Sequence, residues 1–101
     1  MHKHRFRPRY TPRMSATGPE QCPCCDYFCL RTRGSYDVCP VCYWEDDGVG
    51  LGQLDEPSAV NHITLREGRR NFLRYGAADL AALPLVASAA ERAGLRREVR
   101  S

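Results

Sequence analysis

Cys22-Pro23-Cys24-Cys25 and Cys39-Pro40-Val41-Cys42 are two copies of one short motif, separated by thirteen residues. Two C-x-x-C pairs at this spacing are how a tetrahedral thiolate site is usually written into sequence, and Cys22, Cys25, Cys39 and Cys42 are its four ligands. Zn²⁺ is the expected ion; Fe is the alternative, since thiolate knuckles accept either metal. The motif decides the fold because the 27 residues from Gln21 to Asp47 are too few to bury an adequate apolar core. Metal ligation supplies what is missing, at about 10–16 kcal/mol for a structural zinc site near neutral pH.

Between and around the knuckles the chain reads as a small metal-stabilised α+β fold of the zinc-ribbon or rubredoxin-like kind, a β-hairpin followed by one or two C-terminal helices. Asp26-Tyr27-Phe28-Cys29-Leu30 is apolar and aromatic enough for a strand, Arg33-Gly34-Ser35 is turn chemistry, and Tyr36-Asp37-Val38 is expected to pair back against the first strand. Pro23 and Pro40 fix φ inside each knuckle, and backbone N–H groups there point at sulfur. Residue 26 follows the second ligand where glycine is common; Asp is one of the few other residues that tolerates positive φ.

Three segments follow. Residues 1–20 form a basic arm expected to be flexible, 21–57 the metal module with an acidic loop, and 58–101 a helical segment packing on it. Thr64-Leu65-Arg66-Glu67 matches a capping box, and Gly76 ends the helix at Tyr75. Leu65, Phe72 and Tyr75, with Leu73 beside them, form its apolar face. A last helix is expected to begin at Pro84 and run through Val86, Ala89, Ala90 and Ala93 toward Arg97. Residues 44–57 read as a mobile, glycine-punctuated connector; the P-loop alternative fails because acids precede the glycines and no Gly-Lys-Ser/Thr follows.

The formal charge of +3 conceals an asymmetry. Residues 1–14 carry five Lys/Arg and no acid, 15–56 carry two Arg against eight acids, and 57–101 carry eight Arg against four acids. Met14 is an alternative start, and a chain beginning there loses those five cations and falls to −2. His2-Lys3-His4-Arg5-Phe6-Arg7-Pro8-Arg9 is the opposite of a secretory leader, and no segment approaches a membrane span. The expected location is a reducing cytoplasm, where paired C-x-x-C motifs are metal sites before they are disulfides.

Cys24 and Cys29 are left outside the ligand set. The plain reading is a knuckle residue and a buried strand residue; the sharper one is an oxidisable pair that releases the metal. His62, just ahead of the capping box, reads as a loop residue rather than a ligand. Trp44 is either a hydrophobic lid on the hairpin or an anchor in a partner-binding surface with Glu45, Asp46 and Asp47. Those carboxylates do not make a hydrolase, because no nucleophile, His or open metal position accompanies them.

The run Arg33-Gly34-Ser35-Tyr36-Asp37-Val38-Cys39-Pro40-Val41-Cys42-Tyr43-Trp44-Glu45-Asp46-Asp47-Gly48, with Cys22-Pro23-Cys24-Cys25 before it and Asn71-Phe72-Leu73-Arg74-Tyr75-Gly76 after it, resembles the CPCC cysteine-rich family of small bacterial proteins. The resemblance spans about residues 21–77 and departs from the usual form at Asp26, where it implies glycine. It implies a cysteine-rich domain and assigns no reaction.

Three functions compete. The first is a non-enzymatic zinc-binding adaptor, inhibitor or immunity-type protein that offers Trp44, Glu45, Asp46 and Asp47 to a basic protein partner. The second is nucleic-acid or ribosome binding through Arg5, Arg7, Arg9 and Arg13 of the arm and Arg69, Arg70 and Arg74 of the helix. The third is a thiol redox sensor built on Cys24 and Cys29.

Overall fold

Two hairpins, each tipped by one Cys-Pro-x-Cys turn, carry the fold in the computed structural model, which describes residues 18–100. Strand β1 (Glu20–Gln21) pairs antiparallel with β2 (Phe28–Leu30), Glu20 opposite Leu30 and Gln21 opposite Phe28, so the first knuckle is the loop between them. The second hairpin is a single antiparallel bridge, Val38 to Glu45, extended by Tyr36 N–H on the Asp46 carbonyl and Asp46 N–H on the Asp37 carbonyl, both at 2.9 Å. The hairpin expected between residues 26–30 and 36–38 is therefore corrected: each side pairs across its own knuckle.

The reason lies in the turn. Asp26 (φ 69°) and Tyr43 (φ 71°), each directly after the last cysteine of its motif, adopt the left-handed conformation that reverses the chain. The reversal lets Asp26 N–H reach the Cys22 carbonyl (3.0 Å) and Tyr43 N–H the Cys39 carbonyl (2.7 Å). Cys22 N–H then meets the Tyr27 carbonyl (2.9 Å) and Cys39 N–H the Trp44 carbonyl (2.8 Å). Each knuckle satisfies its own backbone, and neither needs a strand from the other. Pairing also begins earlier than expected: Glu20 lies in β1 and Gly18 N–H donates to the Phe28 carbonyl (3.2 Å), so residues 18–20 are not part of a free arm. The remainder of that arm, residues 1–17, lies outside the described residues.

Helix α1 (Leu65–Tyr75) has the expected ends. Thr64 Oγ1 accepts from Glu67 N–H (3.1 Å), Glu67 Oε1 accepts from Thr64 N–H (2.9 Å), and Gly76 closes the helix at φ 90°. Its buried face is Leu65, Gly68 and Phe72. Leu73 and Tyr75, expected on that face, turn outward at 73% and 41% exposure. Gly68 takes their place because Trp44 lies against the helix there: a β-carbon on residue 68 would sit 3.0 Å from Trp44 Cζ3 and 3.2 Å from Cys24 Sγ. The core is accordingly Trp44, Leu30, Val41, Leu65 and Phe72 wrapped around the cysteines.

Beyond Gly76 the single helix expected from Pro84 to Arg97 is replaced by two short pieces. A 3₁₀ helix spans Leu80–Leu85 with Pro84 inside it, and α2 spans Ala89–Arg92 behind a second capping box, Ser88 with Glu91. Docking breaks the helix: Ala78 N–H donates to the Cys42 carbonyl (2.8 Å) and Ala87 N–H to the Pro40 carbonyl (3.0 Å), which requires extended backbone at Val86. The final residues lie along the outer edge of the first hairpin, with Phe28 N–H on the Arg96 carbonyl (3.0 Å) and a Tyr27–Arg97 bridge. The C-terminal segment thus holds both knuckles from outside. No helix among the described residues is long and apolar enough to cross a membrane.

Candidate metal centre

The two turns bring Cys22, Cys25, Cys39 and Cys42 into one cluster whose sulfurs all lie within 4.8 Å of one another, every residue fully buried. Cys22 Sγ is 3.7 Å from Cys42 Sγ, and Cys25 Sγ is 3.7 Å from Cys39 Sγ. A tetrahedron of thiolates at the Zn–S distance of about 2.3 Å has edges of about 3.8 Å, so the donor set fits a four-coordinate thiophilic ion. Backbone amides complete the shell: Cys24 N–H points at Cys22 Sγ and Trp44 N–H at Cys42 Sγ, each at 3.4 Å. Such N–H···S contacts orient thiolates and spread their charge.

Four buried thiols cannot all ionise without a cation. Burial opposes ionisation throughout, yet sulfur hydrogen bonds from Cys25, Cys29, Cys39 and Cys42 hold Cys22 well below the ordinary thiol range. Cys39 is lowered to about 6 against the same burial, by hydrogen bonds from Cys25, Cys29 and Cys42. Burial, reinforced by hydrogen bonds with Cys22 and Cys39, pushes Cys25 and Cys42 well up. A dication lifts that restriction.

Cys29 and Cys24 flank the cluster on separate contacts. Cys29 Sγ lies 2.9 Å from Cys39 Sγ, and hydrogen bonds to Cys22, Cys25 and Cys39 push its thiol far up. Cys24 packs beneath α1 at Gly68, and burial raises its thiol too. Both are 3% exposed. The proximity of Cys29 to a ligand is what sequence reasoning missed; the strand pattern gives its burial and not its neighbour. His62 stays in an exposed loop at φ 65°, outside the cluster.

Asp26 ties the centre to the rest of the chain. Its carboxylate, 2% exposed, accepts from Arg69 Nη1 (2.8 Å) and Nη2 (3.0 Å) and from Arg100 Nε (2.9 Å) and N–H (3.0 Å). Burial alone would raise its value; these contacts outweigh burial and hold it below the usual carboxylate range. The same two arginines donate to the Pro23 carbonyl (2.6 Å) and the Cys22 carbonyl (2.8 Å), so the first knuckle is clamped by α1 and by the C-terminal segment together.

The expected acidic and aromatic partner surface is corrected by burial. Trp44 and Asp46 are 0% exposed and Glu45 is 1%. Asp46 Oδ2 accepts from Gly34 N–H (2.6 Å) and Arg33 Nε (3.0 Å), and its Oδ1 accepts from Gly48 N–H (3.2 Å). Asp47, half-buried, accepts from Val49 N–H (3.1 Å) and Ser58 Oγ (2.7 Å). The Asp46 and Asp47 carboxylates point inward because loop amides, Arg33 and the Ser58 hydroxyl satisfy them there; they pin the 44–57 segment that composition presents as a mobile connector. Trp44 takes the lid role, over the cysteines and under Gly68. Of the arginines expected to meet nucleic acid, Arg69 is committed to Asp26, Arg70 and Arg74 are exposed, and Arg5, Arg7, Arg9 and Arg13 lie outside the described residues.

A family model described as cysteine-rich CPCC matches residues 20–93. No curated protein and no solved structure matches the chain.

Proposed function

The chain belongs to the cysteine-rich CPCC family, and from that premise we propose that its four-cysteine cluster is a structural Zn²⁺ site in a non-catalytic recognition module of zinc-ribbon character. One observation carries the reading: all four sulfurs are buried at tetrahedral spacing, which closes the coordination sphere. A catalytic zinc keeps one position for water or substrate, and a closed thiolate site instead contributes folding energy. The ion would draw negative charge onto Cys22, Cys25, Cys39 and Cys42, while the Cys24 and Trp44 amides and the Cys29 thiol donate toward those sulfurs. Arg69 and Arg100 clamp the knuckle from outside. A module held this way presents its surface as a rigid unit, and that surface does not include Trp44, Glu45 or Asp46.

Metal analysis of untagged protein followed by chelation tests it. The reading expects one zinc per chain, and loss of far-UV and near-UV dichroism together when a chelator removes it. Iron in place of zinc, or a fold unchanged by chelation, would contradict it.

A further inference from the structure

Beyond the last turn of α1 an open groove of about 370 Å³ runs between the helix and the C-terminal segment, lined by Tyr27, Phe72 and Tyr75 and by Arg74, Arg92 and Arg97. The cations lie against the rings. Arg97 Cζ is 5.5 Å from the Tyr27 ring centre and 5.6 Å from that of Phe72; Arg92 is 5.8 Å from Phe72 and Arg74 is 5.5 Å from Tyr75. Tyr27 and Phe72 meet edge to face at 6.2 Å and 82°.

What distinguishes these three arginines is their partners. Arg33, Arg69 and Arg100 are paired with the buried carboxylates Asp46 and Asp26. Arg97 Nε instead donates to the Cys25 carbonyl (2.8 Å) and Arg92 Nη1 to the Ala87 carbonyl (3.3 Å), neutral acceptors that orient the heads without compensating their charge. Among the described residues no carboxylate forms an ion pair with Arg74, Arg92 or Arg97. Residues 1–17 contain no Asp or Glu. Three uncompensated positive charges in one groove repel one another, and an anion bound between them relieves that repulsion.

We infer that this groove binds single-stranded nucleic acid, with phosphates on Arg74, Arg92 and Arg97 and an unpaired base stacked on Tyr75. Guanidinium groups beside one exposed ring, Tyr75, suit a ligand that alternates anionic and planar units. Tyr75, 41% exposed, and its neighbour Leu73, 73% exposed, lie at the rim, where a chain can pass through rather than be enclosed. A duplex keeps its bases stacked and offers Tyr75 no free face; an acidic peptide would use the cations and leave the rings idle. The inference rests on the module reading above, because the first knuckle places Tyr27 and, through the Cys25 carbonyl, Arg97.

The test is fluorescence anisotropy of a labelled oligouridylate with zinc-loaded full-length protein, from about 50 to about 200 mM salt. Binding is expected to weaken with salt. Tyr75→Ala should weaken it about fivefold or more, the effect of removing one stacking platform. Arg74→Glu should weaken it about tenfold and lower the salt slope by about 0.7 for each phosphate no longer neutralised. Both residues are exposed and outside the cluster, so zinc content and dichroism are measured on the same samples and should match wild type. Absence of binding at low salt overturns the inference. So do variants that bind as wild type does, which would place the ligand on another surface, and a polyglutamate that competes as well as the oligonucleotide. Zinc retained with binding abolished in the variants supports the groove; a wild-type chain that holds no zinc fails the module reading instead.

Discussion

Arg69 grips Asp26 with both prongs of its guanidinium, Nη1 to Oδ1 at 2.8 Å and Nη2 to Oδ2 at 3.0 Å, across forty-three residues of sequence. The carboxylate is also the residue that reverses the chain after Cys25, at φ 69°. One side chain therefore tolerates the left-handed turn and anchors helix and C-terminal segment to the knuckle.

The first prediction weighs those two roles. Glycine at residue 26 would relieve about 1 kcal/mol of backbone strain. It would also leave Arg69 and Arg100 without their carboxylate, a loss of about 3–5 kcal/mol for a fully buried pair. The loss is smaller here because the arginine side chains are 17% and 31% exposed. Asp26→Gly should therefore destabilise the zinc-loaded protein by about 2 kcal/mol net in urea denaturation. A glycine variant as stable as wild type would show that the turn, and not the ion pair, decides this position.

Titration of the same group gives a second prediction. The folded-state value of Asp26 lies below its ordinary value near 3.8, so its contribution is fully present above that value and is lost only as pH falls through the lowered one. The stability deficit of Asp26→Asn should be the same at about pH 8 and about pH 6. A deficit that shrinks over that interval would contradict the assignment.

Gly68 supplies a third. Alanine is favoured over glycine inside a helix by about 1 kcal/mol. The added carbon, however, meets Trp44 Cζ3 at 3.0 Å and Cys24 Sγ at 3.2 Å, neither at the end of a flexible side chain. Overpacking of this kind costs about 1–3 kcal/mol. Gly68→Ala should lower the melting temperature, and a raised one would show that the α1–Trp44 packing is looser than described.

Metal binding should release protons. With the metal removed the chain is expected to unfold, so the thiols of Cys22, Cys25, Cys39 and Cys42 return to ordinary values and carry protons at neutral pH. Calorimetric titration of metal-free protein near pH 7 in two buffers of different ionisation enthalpy should report about four protons released per zinc, with affinity falling as pH falls. Proton-neutral binding would contradict the ligand set. Cys29→Ala should retain the full zinc content and Cys22→Ala should lose it, since Cys29 touches Cys39 without belonging to the four.

The parts legible in sequence are those governed by short-range chemistry. Cys22, Cys25, Cys39 and Cys42 announce themselves by spacing, and Thr64 with Glu67 and Gly76 bounds α1 to the residue. Ser88 with Glu91 is a second capping box of the same form, and it marks the true start of α2 better than Pro84 does. The partner of Phe28–Leu30 was not legible, because Glu20 and Gln21 have no strand-like pattern and pair only because the knuckle brings them round. Nor was the direction of the acids: a count of charge along residues 15–56 cannot tell that Asp26 and Asp46 meet arginines and loop amides in the interior.

The central claim is that one ion closes on four sulfurs, and X-ray absorption at the zinc edge of protein purified without added metal addresses it most directly. The account predicts a single shell of four sulfur ligands at about 2.3 Å. A shell containing nitrogen or oxygen, or a sulfur count other than four, would contradict it.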